Sequence, residues 1–372
     1  MGQHAENAPG ETVRPEFRTG RVRELANDGT VRVLAHLPGE TETWGWANCG
    51  LIEHRGRALL VDTPYTPALT EGMLARYEER VPGVAIEAVA LTHANGDHCW
   101  GLQALPGQPE VIATEATAHA ICHEPSPEQV TALLRGSDPD SALGAYFRAM
   151  FPFDFSAVEL GRANVTFRGE HVVKLGEGAD GVEVHLIEVG PGHSSGDLLV
   201  HVPQAATVFA GDVLFVGHHP VTWASLTGVI AALDRVLALE PEVVVPGHGP
   251  VCGPAQVAEL RDYLELLRLH AERCHAEGLG LLEAARSFPL PAYAAGWGMP
   301  ERMVITIATH YRALSADQGA PDMVALVGAC AEYWAQAGGR SQGDAERAAG
   351  GPVPLPEQRG AGADEAAQAG RG

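Results

Sequence analysis

Thr92-His93-Ala94-Asn95-Gly96-Asp97-His98 sets four side chains able to bind a metal within six residues, directly after the apolar run 88–91. Side chains alternate in an extended segment, so His93 and Asn95 point the same way, and a turn at Gly96 redirects Asp97 and His98. One short loop can therefore feed two metal positions. Further along come His193 in Gly-Pro-Gly-His-Ser-Ser-Gly-Asp, Asp212 in Phe-Ala-Gly-Asp-Val and His248 in Val-Pro-Gly-His-Gly-Pro, each on the loop side of a strand-like segment. Two cations about 3.5–4 Å apart, bridged by a carboxylate and a hydroxide, are a recurring device for hydrolysis, and Asp212 has the order and type for the bridge. Any one of these histidines taken alone is more often a hydrogen-bonded structural residue; four loops carrying the same chemistry in sequence are not explained that way.

The surrounding pattern supplies the scaffold. Residues 30–37, 47–53 and 58–62 read as short strands bounded by Gly or Pro, and 67–80 shows helical spacing that stops at Pro82-Gly83. A strand over 85–92 then delivers His93. Residues 115–150 read as mostly helical with breaks at 125–127 and 137–139, an insert able to roof a pocket. Strands follow at 182–189, 198–202, 207–210 and 243–245, with a helix over 223–239 and further helices at 254–277, 281–287, 299–314 and 322–337. This order predicts two packed sheets with helices outside.

The chain has 372 residues, enough for a full core. With 45% hydrophobic and 19% charged residues and no apolar run long enough for a bilayer, it reads as globular, and membrane insertion is not expected. A net charge of -22, with Lys174 the one lysine, argues against nucleic-acid and anionic-membrane partners. Six scattered cysteines without a C-x-x-C pair argue against a zinc knuckle and a disulfide scaffold; Cys99, next to His98, reads as packing. Residues 1–17 lack the basic start and apolar block of a secretory signal, so the expected location is the cytoplasm.

Taken together, these residues resemble the metallo-β-lactamase fold superfamily, whose signature is His-x-His-x-Asp-His followed by a single His, a bridging Asp and a final His. The resemblance implies an α+β fold, an αββα four-layer sandwich over 21–252; the pattern adds a helical extension over 253–337, and the polar, Gly-rich composition reads as disordered tails at 1–20 and 338–372. It implies that His93, Asn95 and His193 hold one metal and Asp97, His98 and His248 a second, with Asp212 between them, and that Asp62 supports the loops without binding metal. The departure is Asn95, where the family pattern has His: an amide oxygen is a neutral, harder and weaker donor than imidazole. One or two Zn2+ ions are expected, with iron or manganese as alternatives. The resemblance further implies a water acidified by the cation, oriented by Asp97 and attacking an acyl carbonyl.

The expected substrate is a small-molecule or carrier-bound acyl ester, a thioester or lactone, since the continuation 293–302 (Tyr-Ala-Ala-Gly-Trp-Gly-Met-Pro-Glu-Arg) resembles the tail of hydrolase-like and cyclase-like members. An aromatic polyketide cyclase or chain-release enzyme is the alternative, needing an Arg patch such as Arg302 or Arg312 to dock an acidic carrier. A low-turnover metal-binding or regulatory protein is the alternative of another class. His218, His219 and Trp223 are candidates for the substrate pocket, His310 and Tyr311 for packing. Oligomeric state is not legible in the sequence.

Overall fold

The computed structural model describes residues 20–38, 45–315, 319 and 322–337; the tails expected at 1–20 and 338–372 lie, but for Gly20, outside the described residues. Seven strands form the first sheet in chain order: β1 (Arg21–Asn27), β2 (Arg32–Leu37), β3 (Cys49–His54), β4 (Arg57–Val61), β5 (Ala85–Ala90), β6 (Glu110–Thr114) and β7 (Val165–Phe167). Pairing is antiparallel from β1 to β4 and parallel from β4 to β7. The second sheet holds β8 (Glu170–Leu175), β9 (Val182–Glu188), β10 (Leu198–Val202), β11 (Thr207–Phe215) and β12 (Val243–His248), in the order β12-β11-β10-β9-β8, with only β11 and β12 parallel.

Parallel neighbours need a crossover, and helices supply them. Helix α1 (Pro67–Arg80) joins β4 to β5, and α6 (Leu226–Ala238) joins β11 to β12. The four-residue helix α2 (Gly96–Cys99) follows β5, and α3 (Glu115–His123), α4 (Pro127–Gly136) and α5 (Ala142–Met150) form the insert between β6 and β7. After β12 come α7 (Pro254–Ala276), α8 (Leu281–Ser287), α9 (Arg302–Leu314) and α10 (Met323–Gln336). Among the described residues, no helix is long and apolar enough to cross a membrane.

The strand alternation divides the core into layers. In β4, Leu59 and Val61 join Val184, Leu186, Leu198, Val200 and Phe209 between the sheets, whereas Ala58 and Leu60 join Met73 and Tyr77 beneath α1. The outer face of the second sheet, through Leu199, Val208 and Ala210, packs on Leu233, Leu260, Tyr263 and Met303 of the helices. Strands covered on both faces lose the polar half of their alternation, which is why β4 reads as an unbroken apolar run and why all nine residues of β11 are buried. Two packed sheets with helices outside and further helices after β12 are as the sequence predicts. Four strands went unread: β1, β6, β7 and β8.

Candidate metal centre

The centre forms where strand ends meet. Asp62, the first residue past β4, takes a left-handed backbone (φ 61°) unusual for a residue with a side chain. Its carboxylate earns that strain: one oxygen accepts from the Thr92 N–H and the other from the Thr92 hydroxyl, both at 2.7 Å, and from His98 Nδ1 at 2.8 Å. The loop 92–98 is thus pinned to the neighbouring strand from beneath. The buried Cys99 thiol donates to Ala94 O and so packs against the loop.

His193 sits on the loop between β9 and β10. Asp197 closes that loop by accepting from Ser194 N at 2.9 and 3.1 Å, and His193 Nδ1 donates to Val221 O at 2.8 Å. Asp212 lies inside β11 just after Gly211, whose positive φ shifts the β11/β12 register and whose place a side chain could not take without meeting Thr92 at 2.8 Å. His248 ends β12. Asn48 holds its loop by donating to Pro246 O and Gly249 O, each at 2.9 Å, and Phe215 stacks face to face on the His248 ring at 5.3 Å.

These loops converge on two clusters, His93 with His193 and Asp212, and Asp97 with His98 and His248; in each, the donor atoms lie within 4.8 Å of one another and all three residues are buried. Asp212 stands between them, with Oδ2 3.6 Å from His193 Nε2 and 3.9 Å from His93 Nε2, and Oδ1 3.1 Å from His98 Nε2 and 3.4 Å from His248 Nε2. Asp97 Oδ2 is 3.3 Å from His248 Nε2.

Hydrogen-bond logic assigns the tautomers. A carboxylate and a carbonyl can only accept, so Nδ1 of His98 and of His193 carry protons. The Thr92 hydroxyl spends its proton on Asp62 and therefore accepts from His93 Nδ1, 3.1 Å away. In the neutral imidazoles each Nε2 is then a lone pair, and each faces another acceptor: His98 Nε2 faces Asp212 Oδ1, while His193 and His93 Nε2 face Asn95 Oδ1 at 2.8 and 3.2 Å. His98 Nε2 and Asp212 Oδ1 are buried without a hydrogen-bond partner. Opposed lone pairs in a site sheltered from water call for a positive charge at their focus, and a divalent cation fits this donor set.

The electrostatics say the same. Burial works against charge on His98 and His248, yet Asp212 and Asp97, joined at His98 by Asp62, outweigh it and push both imidazole pKa values up. Burial would raise Asp97 and Asp212, but the facing histidines, His98 and His248 among them, hold both below the usual carboxylate range. His93, with no carboxylate so close, is driven well below its ordinary value by burial and then by its neighbours His98 and His193.

Of the other residues singled out from sequence, His219 is committed to the Tyr263 hydroxyl at 2.7 Å and packs edge-on to Trp297. His218 is buried and pairs by backbone with Gly298, and the backbone N–H of Trp223 donates to the His193 carbonyl. His310 approaches Glu272 at 3.4 Å and Tyr311 packs edge-on to His275. Arg302 presents no surface patch: it is 2% exposed, with its guanidinium 5.3 Å over the Phe215 ring. Sequence reasoning missed Asn48, which has no motif to announce it, and Asp197, whose signal lies in the Gly-His-Ser-Ser-Gly-Asp stretch. It also missed Glu124, whose carboxylate lies 3.4 Å from Asn95 Nδ2 and whose pKa burial pushes up.

The chain is similar to several known proteins. The chain is 25% identical over 246 residues to the 2,4-dinitroanisole O-demethylase subunit alpha of Nocardioides sp. (strain JS1661), a match covering 64% of this chain and 60% of that one. It is 24% identical over 198 residues to the "Probable metallo-hydrolase YqjP" of Bacillus subtilis (strain 168), covering 47% and 58%. The chain thus spans about 60% of the length of these curated relatives. Among solved structures, the sec-alkylsulfatase Pisa1 from Pseudomonas sp. superposes with a TM-score of 0.60 at 16% identity, covering 83% of this chain and 53% of that one, a likeness of fold. The family model described as "Metallo-beta-lactamase superfamily" matches residues 43–248, from just before β3 to the last histidine of the centre, and over more than half its length the chain belongs to that superfamily.

Proposed function

We propose that the chain is a metal-dependent hydrolase of acyl esters, thioesters or lactones foremost, with His93, Asn95 and His193 holding one divalent cation, Asp97, His98 and His248 a second, and Asp212 shared. The observation that supports this most is the convergence of buried imidazole, amide and carboxylate donor atoms from four loops on Asp212. With Asp212 shared, each half offers two imidazole nitrogens and two oxygens, a set that suits Zn2+ and also Fe2+ or Mn2+. A cation held there supplies acidified water near neutral pH and polarises the bond under attack. Asp97, kept ionised by His98 and His248, orients that water and accepts its proton. Asp62 and Thr92 keep the imidazoles in the tautomer that offers Nε2. Phe215, stacked on His248 and 6.0 Å from His193, sets a buried apolar ring against both imidazoles.

A second reading is favoured by the relative that cleaves an aryl methyl ether by name: attack releasing an acidic phenol in place of a thiol or alcohol. The deciding experiment gives the protein, purified without chelator, acyl thioesters, lactones and activated aryl ethers, with free thiol, acid and phenolate followed in parallel. About two metal ions per chain with acyl turnover supports the first reading. Phenolate release alone shifts it to the second, and metal content without turnover of any of them assigns the chain to the binding class. Full hydrolysis by metal-free Asp212→Ala protein would overturn both hydrolytic readings.

A further inference from the structure

We infer that Glu124 is a positioning residue that decides which end of the Asn95 amide faces the cation; the inference rests on the reading of Asn95 as a ligand. An amide is two-ended, an oxygen that accepts and an NH2 that only donates. Beside two Nε2 lone pairs, an unconstrained Asn95 would turn its NH2 toward His93 and His193, satisfying both partners and leaving a cation no electron pair. The observed orientation is the reverse: Oδ1 lies 2.8 Å from His193 Nε2 and 3.2 Å from His93 Nε2, while Nδ2 points to Glu124 Oε2 at 3.4 Å. A carboxylate can only accept, so Glu124 can take only the NH2 end.

Glu124 is itself well placed for this task. It caps the C-terminus of α3, where its backbone N–H donates to Ala120 O at 2.8 Å. At the other end of α3, the hydroxyls of Thr114 and Thr117 donate to Gly196 O, in the His193 loop, at 2.9 and 2.7 Å. One helix of the insert is therefore tied to both Asn95 and the loop of His193, and the insert meets the centre at its first half.

The test titrates chelator-stripped wild type, Glu124→Gln, Asn95→Asp and the double variant with Zn2+ and with Mn2+ against a chelating dye, with stoichiometry from elemental analysis and folding checked by thermal melts of the metal-free proteins. A glutamine offers both a donor and an acceptor and no longer selects an orientation. Glu124→Gln is expected to weaken one of the two ions by about tenfold and to leave the other unchanged. In the Asn95→Asp background no amide remains to orient and two carboxylates face each other, so the same substitution should not weaken that ion and should tighten it. Wild-type affinities in Glu124→Gln, equal weakening of both ions, or weakening of the first ion in both backgrounds would each overturn the inference. If His193→Ala leaves the wild-type stoichiometry unchanged, the underlying reading of the first half fails instead, a separate result.

Discussion

The two halves of the centre draw on the same loop, His93 and Asn95 for one and Asp97 and His98 for the other, yet they differ in charge and in support. The second half has Asp97 as well as Asp212, and its two imidazoles are pulled toward the charged form by those carboxylates. The first half has Asp212 and a neutral amide, and His93 there is driven strongly toward the neutral form. The half with more negative charge should hold its ion more tightly, and the half with the amide should be the one that exchanges metal or loses it first. The difference also tracks the scaffold: the second half is fixed by strand ends and short turns, whereas the first depends on α3 to set its amide.

The largest effect should come from removing what the halves share. Asp212→Ala is expected to lose both ions and to lower kcat/KM by about a thousandfold, roughly 4 kcal/mol of transition-state stabilisation; elemental analysis beside steady-state turnover checks it, and retention of one tightly bound ion would mean that the halves are independent. Asp62→Asn should come next. The variant gives up the acceptor that keeps Thr92 and His98 in place, so affinity should fall by about 10–100-fold in both halves, because Thr92 sets the His93 tautomer and Asp62 sets that of His98. A loss confined to the second half, read from dye competition, would show that Thr92 holds His93 unaided.

Asn95→His narrows the contrast directly. An imidazole nitrogen in place of the amide oxygen should tighten the first ion for Zn2+ by roughly tenfold, about 1.4 kcal/mol, and leave the second unchanged. Equal or weaker Zn2+ binding would show that the pocket is shaped for oxygen. The smallest effect lies outside both halves. Burial, and after it the Arg302 cation, push His219 down to about 3, so above the unfolded value near 6.5 both states are neutral and its contribution to stability is whole. As the pH falls from 6.5 toward 3 the unfolded chain takes the proton first, and stability is lost by at most about 1.4 kcal/mol per pH unit. Acid melts of metal-free His219→Gln should fall less steeply than those of wild type over that window; parallel slopes would mean that His219 is solvated.

Much of the scaffold was legible because its signals are local. Helix α1 was readable from Leu69, Met73 and Tyr77 on one face and a proline-glycine stop, and α8 and β10 from equally plain boundaries. The strands that escaped have physical reasons. A bulge between Glu24 and Ala26 shifts the register of β1 and breaks its alternation, β8 exposes three of its six residues, and β7 is three residues long. Strand β11 runs on to Phe215, past the Gly211-Asp212 step that reads as a turn, because the kink of Gly211 is absorbed within the ladder to β12.

At the centre, the sequence determined the kinds of donor and their order along the chain, since a histidine, amide or carboxylate keeps its chemistry wherever it is carried. Only the tertiary structure decided which atom of each faces the common point. For three of the donors that choice depends on a second hydrogen bond whose partner is remote: Asp62 for His98, Val221 for His193 and Glu124 for Asn95 lie 36, 28 and 29 residues away. A partner at such a distance is chosen by the packing of sheets and helices, and no local spacing records it.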